Sequence, residues 1–251
     1  MKRYLLAFGA LLIAGFCFSQ IKPNEKLTYA ASYNMSGLMT QLAQVTMQTE
    51  TVNTSKKSFL HLSLEATTFS KWDKFFKIRD LYEAYVDPLT LKSSLYKRNI
   101  NEGGYIKNEK YIFEPDGKSI NSTTKHKDGS ETKKSFRIGS STQDAVAIVY
   151  RLRTIDFSTF KPGQTTSFVM VFDEKEYPIL VKYMGLENVP AGNLGKKQCY
   201  KISISAKTDK LKGIDKNLIW LTADSKKIPA LVRFSIAVGT GQLALTNASE
   251  N

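Results

Sequence analysis

From Glu25 onward the chain alternates apolar and polar residues with a period of two. In "KLTYAASYNM" the residues Leu27, Tyr29, Ala31, Tyr33 and Met35 share one face, with Lys26, Thr28, Ser32 and Asn34 opposite, as a strand with one wet side requires. The pattern returns at Leu60, Leu62, Leu64 and Ala66, at Tyr200, Ile202, Ile204 and Ala206, and at Val232, Phe234, Ile236 and Val238. Between these runs stand turn signals: Asp87-Pro88, Gly103-Gly104, Asp116-Gly117, Asp128-Gly129, Pro162-Gly163 and Gly192-Asn193. Strands separated by hairpin chemistry predict an antiparallel meander. Two segments break the period. "STQDAVAIVYRLRTID" predicts one amphipathic helix, with Ser141 as N-cap and Asp144 three residues on; "SKWDKFFKIRD" places Trp72, Phe75, Phe76 and Arg79 at helical spacing and predicts a short helical turn. The expected architecture is mainly β, a single curved antiparallel sheet or half-barrel with one central amphipathic helix packed on its concave side.

The first twenty residues do not belong to this pattern. Lys2 and Arg3 precede an uncharged run from Tyr4 to Phe18, which is a secretory leader. At about 15 residues the run falls short of the roughly 20 that a membrane-spanning helix needs. Phe16 before Cys17 is too large for lipoprotein processing, whereas Cys17 and Ser19 suit the ordinary peptidase, so cleavage is expected between Ser19 and Gln20. Residues 1–19 are then a signal peptide and 20–251 one mostly-β domain, without a transmembrane segment. The expected setting is the periplasm or outer envelope of a Gram-negative bacterium, with the chain soluble once the leader is gone.

Loss of Cys17 leaves Cys199 without a partner for an internal disulfide. Its place in the strand-like "KKQCYKISISA" predicts a buried, inert thiol. The formal net charge is +13. In an exported protein such an excess is matched by anionic envelope components, not by nucleic acid. The lysines are nevertheless dispersed, and a solvated basic surface is the simpler reading.

Three stretches resemble the exported bacterial family known as domain of unknown function 3108. They are "EKLTYAASYNMSG", "IRDLYEAYVDPLTLKSSLYKRNINEGGY", and the pair "QDAVAIVYRLRTIDF" with "WLTADSKKIPALVRF". The resemblance implies an exported, mostly β fold wrapped about a helix, and no established activity.

Catalytic chemistry has little to build on. His61 and His126 are far apart and have no clustered ligands, so neither a metal nor a cofactor is expected. There is no Gly-x-Ser-x-Gly and no phosphate-cradling loop. Asp80 and Glu83 point to opposite faces of a strand, which argues against a glycosidase pair. A polar cluster of Arg79, Asp80 and Asp224 would revive an envelope-polymer hydrolase if the three converge. The aromatics carry the first-ranked expectation: Tyr29, Tyr33, Trp72, Phe75, Phe76 and Trp220 line an apolar site for a lipid or other hydrophobic ligand. The alternative is a structural or assembly protein whose basic surface docks on an anionic envelope partner.

Overall fold

The computed structural model describes residues 21–35, 37–206, 217–236 and 239–250. The leader, with Cys17 and the expected cut at Ser19 and Gln20, lies outside them, as do the side chains of Met35 and Ile236 and all of Val238.

Fifteen strands are described: β1 (Glu25–Met35), β2 (Leu38–Asn53), β3 (Ser58–Thr68), β4 (Arg79–Val86), β5 (Ser93–Glu102), β6 (Tyr105–Phe113), β7 (Ser119–Lys125), β8 (Glu131–Arg137), β9 (Thr142–Gln143), β10 (Thr165–Phe172), β11 (Lys175–Pro190), β12 (Lys196–Ala206), β13 (Asn217–Thr222), β14 (Pro229–Ile236) and β15 (Gly239–Glu250). They form one open sheet in the order β8-β7-β6-β5-β4-β3-β2-β1-β15-β14-β13-β12-β11-β10-β9. Sequential neighbours pair antiparallel from β1 to β8 and from β10 to β15, as hairpin chemistry predicts. The two halves are joined by β1 against β15, Thr28 facing Asn247. Only the two-residue β9 runs parallel to its neighbour, at Thr142 and Gln143.

The alternation in β1 holds for Leu27 and Tyr29, which are fully buried, and then slips. Bulges after Thr28 and Ala31 leave Ala30 and Ser32 buried as well, so both faces of this central strand are covered.

The helix α1 spans Ala145–Leu152. Its N-cap is Asp144, not Ser141: Asp144 Oδ1 accepts from the backbone N–H groups of Val146 and Ala147 at 2.9 and 2.8 Å. The cap carboxylate also accepts from the hydroxyl of Ser93 on β5, and complete burial pushes its pKa up to about 6. Val146, Ala147 and Tyr150 of the helix enter the apolar cluster built mostly by β1–β7, while Ile148 and Leu152 enter a second cluster built by β11, β12 and β13. Just beyond the helix, Arg153 is buried and forms a bidentate pair with Glu25 of β1 at 2.6 and 2.7 Å, and it donates to the Lys226 carbonyl. The helix therefore ties together strands from both halves of the sheet. The segment Lys71–Lys77 is less regular than its spacing suggests, a single helical turn closed by Phe76 N–H onto the Trp72 carbonyl.

A second tie closes the sheet upon itself. The β10–β11 hairpin turns through Asp173 and Glu174, at φ +47° and +59°. Two successive left-handed residues are the geometry of a type I′ turn, usually met by Asn-Gly. Here polar side chains hold it. Asp173 accepts from Arg98 of β5 and from Lys107 of β6, and Arg98 and Lys107 both also pair with Glu109. Glu174 accepts from Ser122 of β7 and Lys134 of β8, and its N–H donates to the hydroxyl of Tyr111 on β6. Burial alone would raise the Asp173 pKa, but the Arg98 and Lys107 hydrogen bonds outweigh it and hold the carboxyl well below the usual carboxylate range. In the order of the sheet β11 lies nine strands from β5, roughly 43 Å away if the sheet were flat. Hydrogen bonds between them require the sheet to curl round until its halves meet.

Candidate functional site

The six aromatic residues singled out from the sequence do not surround one space. Tyr29 does line an apolar pocket between helix and sheet, together with Val45, Met47, Leu64, Val149 and Leu152 of about eleven residues in all. Its volume is about 140 Å³. Acyl-chain and drug-sized ligands occupy about 300–1,000 Å³, so this pocket is too small for one as it stands. Trp220 alternates with Ile219 and Leu221, which line the pocket, and so points to the opposite face, where Lys201 and Arg233 cover its ring at 5.4 and 5.3 Å. Tyr33 is half-buried, with its ring against Gly239, where a Cβ would approach the hydroxyl to 2.6 Å.

Trp72, Phe75 and Phe76 are on the outside. All three sit on the β3–β4 connection, at the end of the sheet shared with the β1–β2 and β5–β6 turns. Trp72 Nε1 donates to the Gln41 carbonyl at 2.9 Å, and the Phe76 ring lies against Gly103 of the β5–β6 turn, where a Cβ would come within 2.7 Å of it. The φ of +54° favours glycine there, and the absent Cβ lets the ring lie close. The loop is thus fastened to both neighbouring hairpins, yet Phe75 remains 81% exposed and Phe76 53%. Beside them Phe69, Tyr105 and Ile106 are also exposed, and the tip of the β1–β2 hairpin adds Leu38 at 74%. Lys71, Lys74 and Lys77 alternate with the aromatics, the Lys71 ammonium standing 5.6 Å from the Trp72 ring.

The polar cluster does not assemble. Arg79, at the start of β4, pairs with Asp73 of the preceding loop at 2.6 Å, and not with Asp80, because consecutive strand residues face opposite ways. The bridge and a Thr68 hydroxyl hold the Asp73 pKa below its ordinary value. Asp80 accepts from the backbone N–H of Asn101. Asp224 caps the distant β13–β14 turn, accepting from Lys226 and Lys227 N–H. Among the described residues no group of three His, Cys, Asp or Glu side chains is placed to hold a metal ion. Cys199 is buried and its thiol is pushed up to about 11 by desolvation.

An exposed contiguous apolar patch on a folded chain marks an interaction surface, because water exacts a cost for leaving it bare. Large rings set among flexible ammonium groups suit an interface that is apolar below and anionic at its rim. The spacing of Trp72, Phe75 and Phe76 does mark one helical turn, but helical spacing in a single turn carries no information about which side meets water, and the rings expected to line an interior site lie at the surface.

The family described as "Protein of unknown function (DUF3108)" matches residues 28–246. Among solved structures, a β-barrel-like protein of domain of unknown function DUF1849 from Brucella abortus superposes with a TM-score of 0.60 at 11% identity, covering 90% of this chain and 97% of that one. An exported protein with a YmcC-like fold from Bacteroides fragilis (TM-score 0.34, 9% identity, 91% and 97% covered) and a lipoprotein from Parabacteroides distasonis (0.36, 9%, 93% and 98%) are more remote. No curated protein matches the chain.

Proposed function

The chain belongs to the DUF3108 family, whose description names no activity, and on that premise we propose that it is a non-enzymatic protein of the bacterial envelope that docks by its aromatic and lysine-bearing end onto an anionic lipid surface. The observation that carries this reading is the exposure of Phe75 and Phe76 between Lys71, Lys74 and Lys77 on a loop that hydrogen bonds hold in place. Rings that reach the headgroup boundary gain about 1.5–3 kcal/mol each on full burial. Each lysine near an anionic membrane adds about 1 kcal/mol. Such a sum supports reversible association, not permanent anchoring. No helix among the described residues is long and apolar enough to cross a membrane, and surface docking needs none. The secretory leader read from Lys2 to Ser19 supports an envelope setting, in which lipid headgroups and lipopolysaccharide are the available anions. The barrel-like curl, with α1 taken as filling its concave side, supports a scaffold more than a carrier, since the space left beside the helix is about 140 Å³.

Cosedimentation with vesicles tests the proposal. The protein is expected to pellet with phosphatidylglycerol-containing vesicles and not with phosphatidylcholine alone, with Trp72 emission shifting to the blue. F75S/F76S should abolish pelleting, F75S alone, which keeps the Phe76 contact with Gly103, should weaken it at an unchanged melting temperature, and K71Q/K74Q/K77Q should remove most of its salt dependence. Equal binding of F75S/F76S to the anionic vesicles would overturn the reading.

A further inference from the structure

At the opposite end of the sheet, the β10 margin presents a second surface. β10 pairs with β11 along its whole length, Thr165 facing Lys182 and Phe168 facing Ile179. On its other side β9 covers it only at Val169 and Met170. Residues Thr165–Phe168 therefore present backbone N–H and C=O groups that no strand among the described residues takes up. Sheet margins of this kind invite pairing, and folded proteins ordinarily guard them with charge, proline or a bulge. The other margin of this sheet, β8, is guarded in that way by Glu131, Lys133, Lys134 and Arg137. "TTSF" on β10 carries none of these devices.

A cleft of about 530 Å³ runs beside the unguarded stretch, bounded by Thr166–Val169, by Ser140–Gln143, and by Thr90, Lys92 and Arg151. No acidic side chain lines it. Lys92 and Arg151 are both exposed, and neither has a carboxylate within ion-pair distance among the described residues; Arg151 instead donates to the Thr90 carbonyl at 2.9 Å. Two cations without counterions, set beside an open strand edge, are complementary to an extended chain that carries negative charge. They also oppose edge-to-edge pairing of two copies of this protein, which would bring like charges together.

We propose that this cleft accepts an extended acidic peptide segment of a partner protein, which adds a strand to the Thr165–Phe168 edge and sets a carboxylate against Lys92 and Arg151. Main-chain hydrogen bonds supply affinity and the two cations select the charge. With the aromatic loop on a membrane, this edge faces away from it, free to receive the partner.

The probe is a fluorescein-labelled seven-residue peptide of alternating valine and glutamate, followed by anisotropy at low salt and by hydrogen exchange of the full chain. Saturable binding with protection gained at Thr165–Phe168 is expected, weakened at least tenfold in K92E/R151E. K92E alone, which breaks no hydrogen bond among the described residues, should melt as the parent does and still weaken binding, which separates the effect on the peptide from the loss of the Arg151 bond to the Thr90 carbonyl. The same peptide N-methylated at alternate residues should not bind. Binding that survives N-methylation, or that inorganic phosphate displaces at equal concentration, would overturn the proposal in favour of a small-anion site. A complex whose mass is two copies of this chain, or no binding at millimolar peptide, would overturn it too. The phenylalanines of the lipid-facing loop take no part, so F75S/F76S is expected to bind the peptide normally whatever becomes of vesicle binding.

Discussion

Arg153→Ala is expected to be among the most damaging single changes outside the apolar core. Arg153 and Glu25 are both buried, and their bidentate pair joins the end of α1 to the first strand. The Arg153 Nε and Nη2 groups also supply the Lys226 carbonyl at 3.2 and 3.0 Å. Removing the arginine leaves a carboxylate stranded in the interior, at about 3–5 kcal/mol. The carbonyl that loses its donors adds about 1 kcal/mol. A total of about 4–6 kcal/mol corresponds to a fall in melting temperature of roughly 10–20 °C for a chain of this size. The pair itself need not favour folding so strongly, because both ions surrender hydration to form it. The double variant E25M/R153M, which removes both charges, should therefore recover to within about 2 kcal/mol of the parent. Urea unfolding followed by tryptophan emission measures R153A beside the four corners of the cycle (the parent, E25M, R153M and E25M/R153M), with the buried Trp220 as reporter. A loss below about 1 kcal/mol in R153A, or a double variant no more stable than R153A, would refute the reasoning.

Two further predictions concern titration and reactivity. The pKa of Asp144 is raised to about 6 by burial, so between the ordinary aspartate value and pH 6 the folded state binds more protons than the unfolded one. Its contribution is greatest at low pH and is lost as pH rises through about 6, by about 3 kcal/mol at most; D144N, still able to cap, should flatten stability between pH 4.5 and 7, and an unchanged slope in urea titrations across that range would count against the assignment. Asp173 acts in the other direction and lower down, its stabilisation being lost as pH falls below the ordinary aspartate value, so the two windows separate. Cys199 should resist a disulfide reagent at pH 8 in the native state and react stoichiometrically in urea, whereas rapid native labelling would show its strand opening locally.

Much of the sheet was legible in the chain because alternation is a local property. Leu60 and Leu62, or Ile202 and Ala206, declare a shared face within one strand, and Gly103-Gly104 declares a tight hairpin. What stayed illegible depends on distant partners. Asp173-Glu174 carries no glycine or asparagine to announce a type I′ turn, and its conformation rests on Arg98, Lys107 and Lys134 from strands far away in the order. Asp144, expected three residues beyond a Ser141 cap, proves to be the cap itself, where Ser93 meets it from β5. The candidate lipid-facing residues were found by their spacing but assigned to the interior, because a strand pattern fixes sides whereas a single turn between strands does not. Whether Arg79, Asp80 and Asp224 converge was equally illegible, although adjacent residues of a strand, as Arg79 and Asp80 are, are the ones least able to meet.

The seam between β1 and β15 governs how the molecule can come into being. Thr28 finds Asn247 across more than two hundred intervening residues, so this pairing is among the last that a growing or emerging chain can make. Until then each half of the sheet ends in a bare central strand, with Leu27 and Tyr29 on one side and Leu243 and Leu245 on the other. Closing so long a loop is entropically slow, and bare edges in the meantime are open to the wrong neighbour. A chain whose two half-sheets form before their seam closes shows two such edges, and a holdase that shields them would lessen the risk without touching the finished protein.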